Sequence, residues 1–151
     1  MSKKNKAEEY EQLKLKNQIC FPLYACSKEV IRHYKPFLDE LNLTYTQYIT
    51  MLVMWEEEEM SVKELGSRLC LDSGTLTPLL KSLEGKGFIK RTRSAADERV
   101  LLLTLTEEGA SLKEKAATVP SKIVACTNLS SEEAAMLYKL LYKLLWQLED
   151  T

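Results

Sequence analysis

The sequence predicts a mostly helical chain carrying one small β-hairpin, an α+β fold. Three observations lead there. Apolar residues recur with helical period through most of the 151 residues. Hydroxyl residues followed three positions later by Gln or Glu, at Thr44–Gln47 and Ser61–Glu64, mark helix starts as capping boxes. Between Phe88 and Leu105 the pattern changes to two short β-rich runs around a polar turn.

Taken in order, residues 1–10 are polar and lysine-rich and read as a frayed tail. Residues 11–35 read as a helix with a broad apolar surface from Leu13, Ile19, Phe21, Leu23, Ala25, Cys26 and Val30. Pro22 should kink or break it, because proline lacks an N–H and its ring meets the carbonyl four residues back, here Gln18. Residues 36–42 read as a short second helix. The helix opened by Thr44 carries Tyr48, Ile49, Met51, Leu52, Met54 and Trp55 and ends in the acidic run 56–59.

Ser61 opens a short helix to about Leu71. Asp72 or Ser73 then caps another, through Leu76, Leu79, Leu80 and Leu83, which Gly85 and Gly87 terminate. Two short helices joined by a tight turn, the second polar at its start, form the helix-turn-helix signature. Residues 88–93 and 100–105 make the hairpin, a wing concentrating Lys90, Arg91, Arg93 and Arg99. Thr106 caps a helix to about Val119, Pro120 interrupts, and a last helix opens at Ser130. Its leucine stripe, Leu137, Leu140, Leu141, Leu144, Leu145 and Leu148, is richer than an outer helix needs, and predicts a dimer interface rather than an intramolecular core. The chain is thus read as a single domain, 1–151. Residues 43–106 are its winged DNA-binding core, and 1–42 and 107–151 its dimerisation helices.

The net charge of −1 gives no whole-chain signal for nucleic acid, so any affinity must be local. Ser73, Thr75, Thr77 and Lys81 on the second helix can approach base edges and phosphate. Arg93 and Arg99 flank the wing tip, where arginine can enter a narrow minor groove, and Asp97 can brace either guanidinium. No apolar run spans a bilayer and the N-terminus is charged, so a cytoplasmic protein without membrane contact is expected. The four cysteines, Cys20, Cys26, Cys70 and Cys126, are scattered, and there is one histidine. That spacing argues against zinc, and no cofactor is called for. Cys20 and Cys26 would lie about 240° apart around a continuous helix and could not pair.

The helix and hairpin order, with Asp97-Glu98-Arg99 in the wing, resembles the MarR family of winged-helix repressors. The closer resemblance is to its OhrR branch, sensors of organic hydroperoxides. It rests on Asn17-Gln18-Ile19-Cys20-Phe21, Tyr34-Lys35-Pro36, Leu43-Thr44-Tyr45-Thr46-Gln47-Tyr48 and Leu71-Asp72-Ser73-Gly74-Thr75-Leu76-Thr77-Pro78, and covers roughly Leu13 to Pro120. Pro22 departs from the branch pattern.

The resemblance implies a homodimer on double-stranded palindromic operator DNA, released when an organic hydroperoxide oxidises Cys20. Tyr34 and Tyr45 would hydrogen-bond the Cys20 sulfur from the partner chain, and Tyr24 would line the same pocket. Phe21, Leu23 and Trp55 would suit an apolar peroxide tail. Thiolate, not thiol, attacks peroxide, and a sulfenic acid so formed can be trapped by a second thiol. The branch resolves that acid in two styles, with a small thiol or with a cysteine in the C-terminal part of the opposite subunit; here Cys126 would be that resolving cysteine, with Cys26 and Cys70 structural. Two alternatives stay open: a repressor released by a small aromatic ligand, and a thiol-dependent peroxidase.

Overall fold

The computed structural model describes residues 10–151. The tail expected over 1–10 therefore lies outside the described residues, apart from Tyr10. Two short 3-10 turns, Glu11–Leu13 and Leu15–Asn17, lead into α1, Cys20–Asp39. The helix expected from residue 11 thus starts only at Cys20, which makes Pro22 its third residue. The first N–H groups of a helix have no partner within it, so proline sacrifices no hydrogen bond there and no kink is needed. Pro36 also starts no separate helix. It sits inside α1, which runs on to Asp39 before Asn42, at φ 55°, turns the chain.

The Thr44 cap forms as expected. Its hydroxyl accepts the Gln47 N–H while the Gln47 side chain accepts the Thr44 N–H, and α2 follows over Tyr45–Glu57. The acidic run does not stay helical throughout. Glu58, at φ 60°, ends α2, and β1, Glu59–Ser61, is a strand that the sequence pattern does not predict. The reciprocal Ser61–Glu64 box opens α3, Val62–Leu69. Asp72, rather than Ser73, caps α4, Ser73–Gly85, by accepting the Thr75 N–H at 2.8 Å. Gly87, at φ 82°, then turns the chain into β2, Ile89–Arg93, and β3, Leu101–Leu105, completes the wing. β3 is the central strand, flanked antiparallel by β1 and β2, with Met60 opposite Leu103 and Arg91 opposite Leu103 on the other side.

Thr106 caps α5, Glu107–Ala116. Pro120 then opens a further helix, α6, Val119–Thr127, where the sequence pattern predicts only an interruption. Proline in a first turn is a helix start as readily as a stop. α7, Ser131–Glu149, begins with a third capping box at Ser130 and Glu133.

One core joins α2, α3, α4 and the sheet, centred on Met51, Met54, Leu65, Leu80, Leu83, Ile89 and Leu103, and extends to Leu38 of α1 and Val119 and Ile123 of α6. Trp55 belongs to it. Its indole N–H donates to the Gly109 carbonyl at 2.8 Å, so it cannot serve the peroxide pocket expected around Cys20. Gly109 is forced: a Cβ there would run into the Phe88 carbonyl, where α5 leaves against the start of β2. α7 buries none of its residues within the chain. Among the described residues, no helix is long and apolar enough to cross a membrane.

Candidate functional site

The DNA-facing surface expected from the sequence assembles on α4 and the wing. Leu76, Leu79, Leu80 and Leu83 turn inward, leaving Ser73, Thr75, Thr77 and Lys81 exposed. Thr77 uses its hydroxyl to donate to the Ser73 carbonyl at 2.8 Å, so its methyl group is the freer element for base contact. The capping hydrogen bond from Thr75 holds the Asp72 carboxyl below the usual carboxylate range. This ties down the first turn of α4, the end of a helix whose free N–H groups favour an anion.

In the wing, Asp97 braces Arg99 and not Arg93. Its carboxylate accepts the Arg99 N–H at 3.0 Å and two guanidinium N–H groups at 3.1 and 3.2 Å. The pairing pulls the Asp97 carboxyl below its ordinary value. The Arg99 side chain stays 90% exposed, pre-aimed rather than buried. Arg93 reaches only the Glu98 carbonyl, at 3.5 Å. Arg91, counted with the basic hairpin, is committed elsewhere. Glu84 at the end of α4 accepts its backbone N–H at 2.8 Å and its guanidinium at 3.0 and 3.2 Å. Nothing in the sequence pattern marks this brace, which fixes the wing to the reading helix. A second link that the pattern does not mark runs from Gln47 to Ser82, at 3.0 Å, and from Lys86 to Gln47, at 2.8 Å, and sets α4 on α2.

The thiol region is split. Cys20 is exposed in the first turn of α1, and Phe21, Leu23 and Tyr24 beside it are also exposed. Lys28 lies over the Tyr24 ring at 5.2 Å. Tyr34 is on the same helix fourteen residues on, about 21 Å at the helical rise. It packs on Tyr45 at 5.0 Å and Tyr48 at 5.6 Å between ring centroids. The chain therefore brings Tyr34 and Tyr45 together but not with its own Cys20. Tyr48, which the apolar pattern of α2 places in the core, completes a trio; its spacing from Tyr45, one helical turn, is the signal that marks it. Burial, reinforced by Tyr45 and Tyr48, pushes the Tyr34 phenol up to about 12. Burial raises Tyr45 and Tyr48 as well. All three are consequently O–H donors across the physiological range.

Cys126, on α6, is exposed and donates to the Lys122 carbonyl at 3.3 Å. Cys26 and Cys70, expected to be structural, are exposed too. The Cys70 thiol donates to Glu149 at 2.8 Å, which pushes it up from its ordinary value and keeps it a poor nucleophile.

Residues 32–116 match the family model described as transcriptional regulator SarA/Rot. The chain is 51% identical over 136 residues to the organic hydroperoxide resistance transcriptional regulator of Bacillus subtilis, spanning 90% of this chain and 92% of the relative. Among solved structures it is similar to reduced AbfR bound to DNA, a Staphylococcus epidermidis protein, with 37% identity, TM-score 0.74 and coverage of 91% and 96%. Against the disulfide form of AbfR the TM-score is 0.63 at 36% identity, over 93% and 96%. A cysteine-to-serine mutant of MarR from E. coli complexed with operator DNA gives 0.75 at 27%, over 82% and 90%.

Proposed function

The chain belongs to the MarR-like winged-helix transcriptional regulators, in the SarA/Rot family whose model it matches, and from that premise we propose that it is a dimeric, redox-sensing repressor of operator DNA. It is a regulator and not an enzyme, so the peroxidase alternative falls away. The effector is an organic hydroperoxide, as the role of the Bacillus subtilis relative suggests. As a DNA-binding regulator it acts in the cytoplasm.

The observation that carries this reading is the split site. An exposed thiol and three clustered phenols that lie apart within one chain would be complementary across two. The partner's Tyr34 and Tyr45 would donate to the Cys20 sulfur, and the apolar faces of α1 and α7 would supply the contact. The Cys20 thiolate attacks the distal peroxide oxygen, the O–O bond breaks, and the alkoxide leaves and takes a proton. The product is Cys20 sulfenic acid. The Cys126 thiol of the opposite subunit then displaces hydroxide, which leaves as water, forming a disulfide. That link strains the frame that spaces the two reading heads. A loss of about 3 kcal/mol in binding would lower operator affinity more than a hundredfold. On the operator, Ser73, Thr75, Thr77 and Lys81 enter the major groove, and Arg93 with the Asp97-braced Arg99 enters the flanking minor groove.

The test is operator binding before and after one equivalent of cumene hydroperoxide. Wild type should leave the DNA and Cys20→Ser should stay. Release of the Cys20→Ser protein by the same treatment sinks the reading. One cavity favours a second reading. About 730 Å³ lies between α3, the start of α4 and β3, walled by Val62, Leu71, Leu76 and Leu101, with Lys63 and Arg99 as cations and Asp72 as an anion. A small aromatic ligand fits those apolar walls, and would release DNA in excess reductant.

A further inference from the structure

Cys26 is left without a role by the mechanism above, yet it does not stand alone. α6 packs on α1 through buried Ile123 and through Lys122, whose ammonium lies 5.3 Å from the Phe37 ring centre. Between the two helices is a cavity of about 160 Å³, and both Cys26 and Cys126 line it, with Val30, His33 and Ile123. The cysteine assigned as the resolving thiol therefore shares, inside its own chain, the wall of an apolar cavity with a second thiol.

We propose that Cys26 accepts the disulfide formed between Cys126 and the other subunit's Cys20, so that the sensor thiol is regenerated while the oxidation is stored within one chain. The proposal rests on the Cys20–Cys126 chemistry given above. The step is thiol–disulfide exchange and needs no further oxidant. The Cys26 thiolate attacks the Cys126 sulfur, a Cys26–Cys126 bond forms, the bond to Cys20 breaks, and Cys20 leaves as thiolate. The proton lost at Cys26 is matched by one gained at Cys20. His33 borders the cavity with its Nδ1 2.9 Å from the Glu29 carbonyl. A carbonyl only accepts, so Nδ1 is the donor, and in the neutral ring Nε2 is then the acceptor that can take the Cys26 proton.

The exchange converts a link between subunits into a link between α1 and α6. The covalent dimer should therefore be transient. Wild type, Cys20→Ser and Cys26→Ser are treated with one equivalent of cumene hydroperoxide, quenched over time with iodoacetamide, and read by non-reducing electrophoresis and peptide mass spectrometry. Wild type should show a dimer band that decays into a monomer carrying a Cys26–Cys126 crosslink, with Cys20 again alkylated. In Cys26→Ser the dimer should persist about tenfold longer or more, a modest figure for two groups held at one cavity. A lasting wild-type dimer crosslinked only through Cys20 and Cys126 overturns the exchange and leaves the repressor mechanism intact. Absence of any covalent dimer in both wild type and Cys26→Ser overturns the resolving role of Cys126, and the exchange with it. A Cys26–Cys126 crosslink that forms equally in Cys20→Ser also overturns the exchange, because the pair is then oxidised without the sensor.

Discussion

The winged core and the terminal helices solve the same problem in opposite ways. In the core, α4 turns its leucines inward until Leu80 is 1% and Leu83 0% exposed, and among the described residues no buried side-chain polar atom lacks a partner. In α7 the leucines face outward, with Leu140 at 54% and Leu148 at 65%. A helix with apolar residues on most of its circumference is a buried helix. The core thus closes by itself, whereas the frame around Cys20, Tyr34 and Cys126 leaves its apolar faces open and, in the proposed dimer, would be completed by a second copy. Sensing would then belong on the frame, because a frame held by another chain can be moved without unfolding the winged core.

The sharpest way to break that contrast is to charge the α7 stripe. Leu141→Asp with Leu145→Asp should cost about 6–12 kcal/mol of association, because a dimer of the variant loses four buried leucines. Sedimentation should show monomer where wild type is dimeric, while the circular-dichroism signature of the winged core survives. Collapse of the core along with the dimer would mean that the two regions are not separable. The converse lesion is Gly109→Ala. A methyl at the Phe88 carbonyl forces α5 away from β2 and strains the Trp55 hydrogen bond, for about 1–3 kcal/mol on the overpacking scale. It should lower the melting temperature without first dissociating the dimer.

What the sequence showed follows the same division. Capping boxes are local, and the three at Thr44, Ser61 and Ser130 need only four residues each to be read. The β1 strand is illegible because it is three residues long and its partner, β3, lies more than forty positions on. The Glu84–Arg91 brace looks like a free basic wing, since charge pairing depends on a turn geometry that spacing does not reveal. Pro22 and Pro120 mislead for one reason: the effect of a proline depends on helix register, and both fall in a first turn. Cys126 reads as a distant resolving thiol, but its neighbour Cys26 is a hundred positions away and visible only once α6 packs on α1.

A smaller effect distinguishes the frame through pH. Tyr34 has its phenol raised from 10.0 to about 12 in the folded chain. A raised value means the folded state holds its proton longer, so this contribution is full below pH 10 and is lost as pH climbs towards 12. Alkaline unfolding of wild type should steepen in that window, and Tyr34→Phe should flatten it, with neutral-pH stability changed by about 1 kcal/mol or less. An unchanged alkaline limb would remove Tyr34 from the tyrosine trio.

The smallest effect belongs to the wing and has the opposite sign. Arg91, through its backbone N–H first and its guanidinium second, holds the Glu84 carboxyl below 4.5. A depressed carboxylate contributes stability that is present above its ordinary value and is lost as pH falls through the folded one. Because the brace joins β2 to the end of α4 and touches neither α1 nor α7, its loss should loosen the wing alone. Protection of the Arg91 amide from exchange should fall below pH 4.5 in wild type and be low at all pH values in Glu84→Ala, while the dimer remains. Operator affinity of Glu84→Ala should fall more than its dimerisation, because Arg93 and Arg99 are then presented by a wing no longer tied to α4.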